Sequence, residues 1–298
     1  MSLRAELVRW GLRWFVKRKI GPGTTLEAVR RQAAVLERLV PPPPRGTQTN
    51  DIELDGVKAV AVFARGSLED RLALYLHGGG HVSGSPALYG DFIWRISAAT
   101  RSRAFIPDFR LAPEHPFPAA LDDAATAYRA LLAAGADPRR MAVLGESSGG
   151  GLVLAMLLKL RDEGTRLPAA AVALSPWTDL ALTGDSLERN AEADPMLRGT
   201  EGARLASYYL AGADPLTPYA SPLYGDPTGL PPTLIQVGSD EILLDDSVRM
   251  AERMRAAGCQ VELEIWPRMP HTWQVWARIL PEARAAIARI GAFVQGKM

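Results

Sequence analysis

A serine, an acid and a histidine in that chain order could cleave acyl compounds through a covalent intermediate, and this sequence supplies candidates for all three. Ser147 stands in Gly145-Glu146-Ser147-Ser148-Gly149, a G-x-S-x-G pentapeptide between an apolar run at residues 141–144 and a helix-like stretch at 150–161. That is the strand, turn and helix context of a nucleophile elbow, where a strained turn pushes one hydroxyl outward and the flanking positions have no room for side chains. Ser148 occupies the non-nucleophile position of the pattern. A serine hydroxyl is a weak nucleophile near neutral pH, so it needs a base in hydrogen-bond reach and a third group to orient that base. His271 is the only histidine after Ser147, and it follows a strand-like run at 261–265. Asp240 lies just past another such run at 234–237 and is the favoured acid. Glu241, Asp245 and Asp246 compete with it, the last two reading as the first turn of the next helix, where carboxylates complement the helix dipole.

Acyl transfer also places negative charge on the former carbonyl oxygen, so N–H donors must already point at that spot. His77-Gly78-Gly79-Gly80 follows the apolar run 72–76. Its glycines let the backbone turn amides toward a ligand, and the Ser148 amide would add a donor. A glycine-rich loop can also cradle phosphate. Neither a G-x-G-x-x-G spacing with a following ribose-binding acid nor a lysine-bearing P-loop is present, which argues against a nucleotide site.

The elements that must hold these residues alternate. Ile52 and Leu54 lead through Asp55-Gly56, a hairpin turn signal, into a returning strand at Val57–Phe63. Further strand-like runs at 72–76, 104–107, 141–144, 169–174, 234–237 and 261–265 are mostly separated by helix-length segments. Such alternation implies a mainly parallel sheet covered by helices on both faces, with ligand sites at the C-terminal strand ends. Two stretches fall outside it. Residues 1–45 read as two amphipathic helices, the first with Leu3, Leu7, Trp10 and Trp14 on one stripe and Arg9, Arg13 and Lys17 opposite, broken at Pro22 and Gly23. The second opens at a Thr24 and Glu27 capping box, carries Leu26, Val29, Ala33, Leu36 and Val40 on one stripe, and stops at Pro41 to Pro44. Residues 184–213 are helical in composition and too long for an ordinary connection. Together these stretches are expected to form a cap over a catalytic domain of residues 46–183 and 214–298. Their Trp10, Trp14, Tyr208 and Tyr209 are expected to line a hydrophobic substrate pocket.

Composition narrows the function classes. The 298 residues can bury a sizeable core without staples, and 47% apolar residues with 27 glycines and 23 prolines exclude disordered and collagen-like chains. With 34 basic against 33 acidic side chains there is no global field to hold a polyanion, so nucleic acid is not an expected partner. The one cysteine, Cys259, cannot form an intramolecular disulfide, which fits a reducing, cytoplasmic setting. His77, His81, His115 and His271 show no metal-ligand spacing, so neither metal nor cofactor is expected. No run of about 18 apolar residues suggests a membrane span, and packing on its own domain is the expected role of the first helix rather than membrane contact.

Taken in order, the 77–80 run, Asp108-Phe109-Arg110-Leu111-Ala112-Pro113-Glu114-His115-Pro116-Phe117-Pro118-Ala119-Ala120, the elbow, Ser175-Pro176-Trp177-Thr178-Asp179, and the segments around Asp240 and His271 resemble the hormone-sensitive-lipase-like (bacterial family IV) esterases. The resemblance covers nearly the whole chain. It implies a capped, eight-stranded α/β-hydrolase fold with Ser147, Asp240 and His271 as triad. Gly79, Gly80 and Ser148 become oxyanion donors, with Gly78 in the same motif. The chain departs from the family pattern at Asp240-Glu241-Ile242, where the family commonly has Asp-Pro-Leu. The expected activity is a cofactor-independent serine carboxylesterase acting on short- to medium-chain acyl esters, lactones included, with a small hydrophobic ester as partner and a homodimer as one assembly. An amide-cleaving peptidase and a small-ligand receptor on the same fold are the alternatives.

Overall fold

The computed structural model describes all residues except Lys19, Ile20 and Pro22, so the expected helix break at Pro22 lies outside the described residues. Eight strands form one sheet: β1 Gln48–Leu54, β2 Val57–Phe63, β3 Leu68–Leu76, β4 Ser102–Pro107, β5 Met141–Glu146, β6 Ala170–Leu174, β7 Thr233–Gly238 and β8 Val261–Trp266. Their spatial order is β1-β2-β4-β3-β5-β6-β7-β8. Only β2 runs against the rest, pairing antiparallel with both β1 and β4. The remaining pairs are parallel. Every residue of β5, β6 and β7 is buried, as parallel strands covered on both faces require, whereas the edge strands β1 and β8 are partly open to solvent.

The α-helices among the described residues are α1 Leu3–Leu12, α2 Leu26–Glu37, α3 Gly90–Thr100, α4 Ala119–Ala133, α5 Ser148–Asp162, α6 Ser186–Arg189, α7 Gly199–Leu210, α8 Leu244–Ala256 and α9 Pro281–Gln295, with a π-helical turn at Arg13–Lys17 directly after α1 and short 3-10 turns between other elements. Side chains of α4, α5 and α8 fill one core against the sheet, with Leu121, Leu154 and Met250 among its buried residues. On the other face α3 and α9 pack Ile93, Ile96, Ala286 and Ile290 against Tyr75, Leu144 and Val172. The Asp55-Gly56 turn, the strand positions and the helical alternation agree with the sequence reading. Asp245 and Asp246 do stand in the first turn of α8.

The N-terminal helices depart from it. In α1 the buried residues are Ala5, Arg9 and Leu12, while the apolar stripe points outward, with Leu3 84%, Leu7 68% and Trp10 56% exposed. An arginine can occupy the buried side because its guanidinium finds oxygen partners there, described below. The cap of α2 falls on Thr25, whose Oγ1 accepts from the Ala28 amide, one position later than the expected Thr24. No residue of α2 is fully buried. Long side chains anchor both N-terminal segments to the body: Lys17 Nζ reaches the carbonyls of Ala191 and Asp194, and Arg30 donates to the carbonyls of Val82 and Ala112 and pairs with Glu114.

Candidate active site

Ser147 sits between β5 and α5 at φ 56° and ψ −126°, the strained elbow conformation. Its amide donates to the Leu174 carbonyl, and its own carbonyl accepts from Gly151 and Trp177, which pins the turn against β6 and the loop after it. A Cβ on Gly149 would fall 2.1 Å from the Leu76 carbonyl oxygen, and one on Gly151 2.0 Å from that of Trp177. The glycines are therefore demanded by close backbone approach. Ser148 turns its hydroxyl to the His81 amide, from which it accepts.

His271 lies in the loop after β8 and brings Nε2 within 2.9 Å of Ser147 Oγ. Its Nδ1 lies 2.7 Å from Glu241 Oε2, not beside Asp240. The expectation of Asp240 as the histidine's partner is thus corrected. The carboxylate at 241 is fully buried, and its Oε1 also accepts from Ser175 Oγ at 2.8 Å and the Gly238 amide at 2.5 Å. Asp240 turns the other way, to Arg9 at 2.7 Å and to Ser239 Oγ. The physical reason is the turn at the end of β7: the Glu241 amide bonds back to the Gly238 carbonyl, so position 241 folds over the strand end. The departure from Asp-Pro-Leu at Asp240-Glu241-Ile242 is the one signal of this in the sequence. Burial by itself would lower the His271 pKa, but the hydrogen bond and charge of Glu241, with the charges of Asp194 and Glu146, raise it above the ordinary histidine value.

Of the four residues expected around the oxyanion, Gly78 has its amide engaged elsewhere: it donates to Glu146 Oε1. Glu146 is buried beneath the elbow and also accepts from the Tyr75 hydroxyl, and burial pushes its carboxyl up to about 7 against the pull of those bonds. The amides of Gly79 and Gly80, at φ 118° and 64°, donate to no protein group among the described residues, and both residues line the same cavity as Ser147 and His271. Ser148 opens α5, where a first-turn amide has no partner within the helix.

The cavity over Ser147 measures about 230 Å³, and Leu182, Leu187, Met196, Leu205, Ile242 and Leu243 supply much of its apolar wall, with Val29 of α2 and Trp177. None of the four aromatic residues expected to line it does so. Trp10 and Trp14 are exposed and pack on each other at 6.1 Å, and Tyr209 is buried with its ring stacked 3.8 Å from His81. Tyr208 is partly buried against the core beneath. The two segments outside the alternation do reach the cavity, but through aliphatic residues of α2, of the stretch between α6 and α7, and of α7. Helical spacing could not distinguish those from ordinary core positions. Among the described residues, no group of three or more histidine, cysteine, aspartate or glutamate side chains is arranged to hold a metal ion, and no helix is long and apolar enough to cross a membrane.

The sheet order, the strained elbow and the serine-histidine-carboxylate line together define the α/β-hydrolase class, and the comparisons with known proteins agree. A family model described as the alpha/beta hydrolase fold matches residues 73–275. An acetyl-hydrolase of Streptomyces hygroscopicus is 45% identical over 236 residues, 79% of each chain, and an esterase of Acinetobacter venetianus is 36% identical over 89% of this chain and 88% of its own. Among solved structures, an esterase from the bacterial hormone-sensitive lipase family superimposes with a TM-score of 0.94 at 44% identity, covering 100% of this chain and 99% of that one. EstE5, soaked with p-nitrophenyl butyrate, gives a TM-score of 0.94 at 40% identity over 100% and 99%. The chain belongs to the α/β-hydrolase fold family, in its bacterial hormone-sensitive-lipase branch.

Proposed function

We propose that the chain is a serine carboxylesterase in which Ser147 is the nucleophile, His271 the base and Glu241 the acid. The observation that carries this reading is the continuous relay from Ser147 Oγ through His271 to Glu241, at 2.9 and 2.7 Å, on the floor of an apolar cavity. Ser147 Oγ attacks the ester carbonyl while His271 Nε2 takes its proton. Glu241 accepts from Nδ1 and stabilises the imidazolium. The tetrahedral oxyanion sits against the amides of Gly79, Gly80 and Ser148, each worth roughly 10²- to 10³-fold in rate. His271 then protonates the leaving alcohol, and water, deprotonated by the same imidazole, releases the acid from the acyl-enzyme.

A cavity of about 230 Å³, below the roughly 300–1,000 Å³ common for drug-sized ligands, supports short- to medium-chain acyl esters, lactones included. Residues 1–45 and 184–213 serve as the cap in this reading, since both reach the cavity or the loops around it. A cytoplasmic location, supported by the lone Cys259, and a homodimer, to be checked by light scattering, belong to the same proposal.

The test is hydrolysis of p-nitrophenyl butyrate by Ser147→Ala. A folded variant should lose about 10⁴-fold or more of kcat. Retention of near wild-type turnover would overturn the reading. A panel of acyl esters, lactones and anilides separates an esterase from a peptidase, and turnover rising steadily beyond about a dozen acyl carbons would contradict the cavity argument.

A further inference from the structure

Arg9 is the one buried charge on α1, and its guanidinium ends where the loops carrying the site's acid and base meet. Nη2 lies 2.7 Å from Asp240 Oδ2, and Nη1 lies 2.7 Å from the carbonyl oxygen of Arg268. Asp240 directly precedes Glu241, and Arg268 stands three residues before His271. Ser239 already stitches the same loops together, its amide donating to the Trp266 carbonyl and its hydroxyl accepting from the Arg268 amide. A third segment joins the same junction: Arg9 Nη2 also lies 3.4 Å from the Ala193 carbonyl oxygen, Asn190 Nδ2 donates to the carbonyls of Ser239 and Glu241, and Asp194 accepts from the Ile242 amide. Arg13 reaches the carbonyls of Glu192 and Ala193 in that segment.

We propose that Arg9 is a positioning residue for ester hydrolysis, a bracket thrown from the N-terminal helix across the acid loop and the histidine loop that holds Glu241 in line with His271. The inference rests on the triad reading above. The chemistry suits arginine in particular. Its planar fork of five donors can hold a carboxylate and a carbonyl at once, whereas the compact ammonium of lysine meets them as a point charge. Glu241 and His271 each follow a strand end by only a few residues, and the bracket restrains the far side of both loops. Relaxing it should disturb the hydrogen bond that acts in the transition state while leaving the apolar cavity, which Arg9 does not line, able to bind substrate. It also gives Asp240 a role: its carboxylate is the anchor for Arg9.

The experiment compares Arg9→Met, Asp240→Asn, the double variant and Arg9→Lys with wild type on p-nitrophenyl butyrate. Active sites are titrated with a serine-directed phosphonate so that kcat refers to competent molecules. Arg9→Met should lower kcat per titrated site roughly tenfold or more, with KM within about twofold. Asp240→Asn should do the same, the double variant should be no slower than the slower single, and Arg9→Lys should recover part of the loss. Unchanged kcat per titrated site in Arg9→Met, with only fewer sites or a lower Tm, would show a merely structural contact and overturn the proposal. Should Arg9→Met not fold, the near-isosteric Asp240→Asn decides by the same criterion. Failure of the phosphonate to titrate wild-type protein would instead refute the triad reading itself.

Discussion

The elbow with its glycine loop and the loops bracketed by the N-terminal helix meet at one histidine, yet they are held by opposite means. Around Ser147 the backbone itself is the framework: Gly149 and Gly151 stand so close to neighbouring carbonyls that no other residue fits. Around Glu241 long side chains do the holding, Arg9 and Asn190 bonding to oxygens of residues distant in sequence. The first arrangement tolerates no substitution at a few positions and little movement. The second spreads its restraint over several separable bonds, so it should weaken in steps.

That contrast can be broken by experiment. The largest effect is expected at the acid: Glu241→Ala should lower kcat by about 10³- to 10⁴-fold, far more than the roughly tenfold expected for Asp240→Asn. Equal losses at the two positions, measured on folded protein, would erase the distinction between acid and anchor. Next, Gly149→Ala forces a methyl into the Leu76 carbonyl and should cost about 3 kcal/mol or more of stability, with activity falling at least about tenfold. A denaturant melt and a rate on the same preparation would check it, and a variant of normal stability and rate would mean the elbow yields more than its packing implies. A smaller effect concerns pH. Because Glu241 raises the His271 pKa and the base must be neutral to work, kcat/KM should fall as pH drops, with its midpoint above the usual histidine value of about 6.5. An acidic limb below that value would mean Glu241 does not face the imidazole in solution. The smallest effect is at the outer face of α1: Trp10→Ala should change KM by less than about twofold, since Trp10 lies away from the cavity.

The same contrast explains what can be read in advance. Sterically forced features leave a trace in residue type, so Gly145, Ser147, Gly149, Gly79 and Gly80 announce the elbow and the glycine loop, and apolar runs announce the sheet. Choosing Glu241 over Asp240 requires the turn after β7, of which the sequence carries one trace, the departure from Asp-Pro-Leu. One methylene of extra reach and a one-residue shift in direction decide it. Spacing places Gly78 with the oxyanion donors because it cannot show that Glu146, next to Ser147, reaches beneath the loop to claim that amide. Likewise the stripe on α1 has correct helical spacing, and only the oxygen partners waiting for Arg9 explain why the opposite face turned inward.

The outward stripe of the N-terminal segment also gives the molecule a built-in optical reporter. Trp10 and Trp14 stand in water at 56% and 43% exposure, whereas Trp273 is sealed in the protein. Emission should therefore divide into a red-shifted part that acrylamide quenches readily and a blue part that it barely reaches. Trp276 is exposed as well and Trp94 and Trp266 are half-buried, so a background with all three replaced by phenylalanine simplifies the signal. The quenchable part then reports chiefly on the segment that carries Arg9, and its docking can be followed in solution without attaching any label.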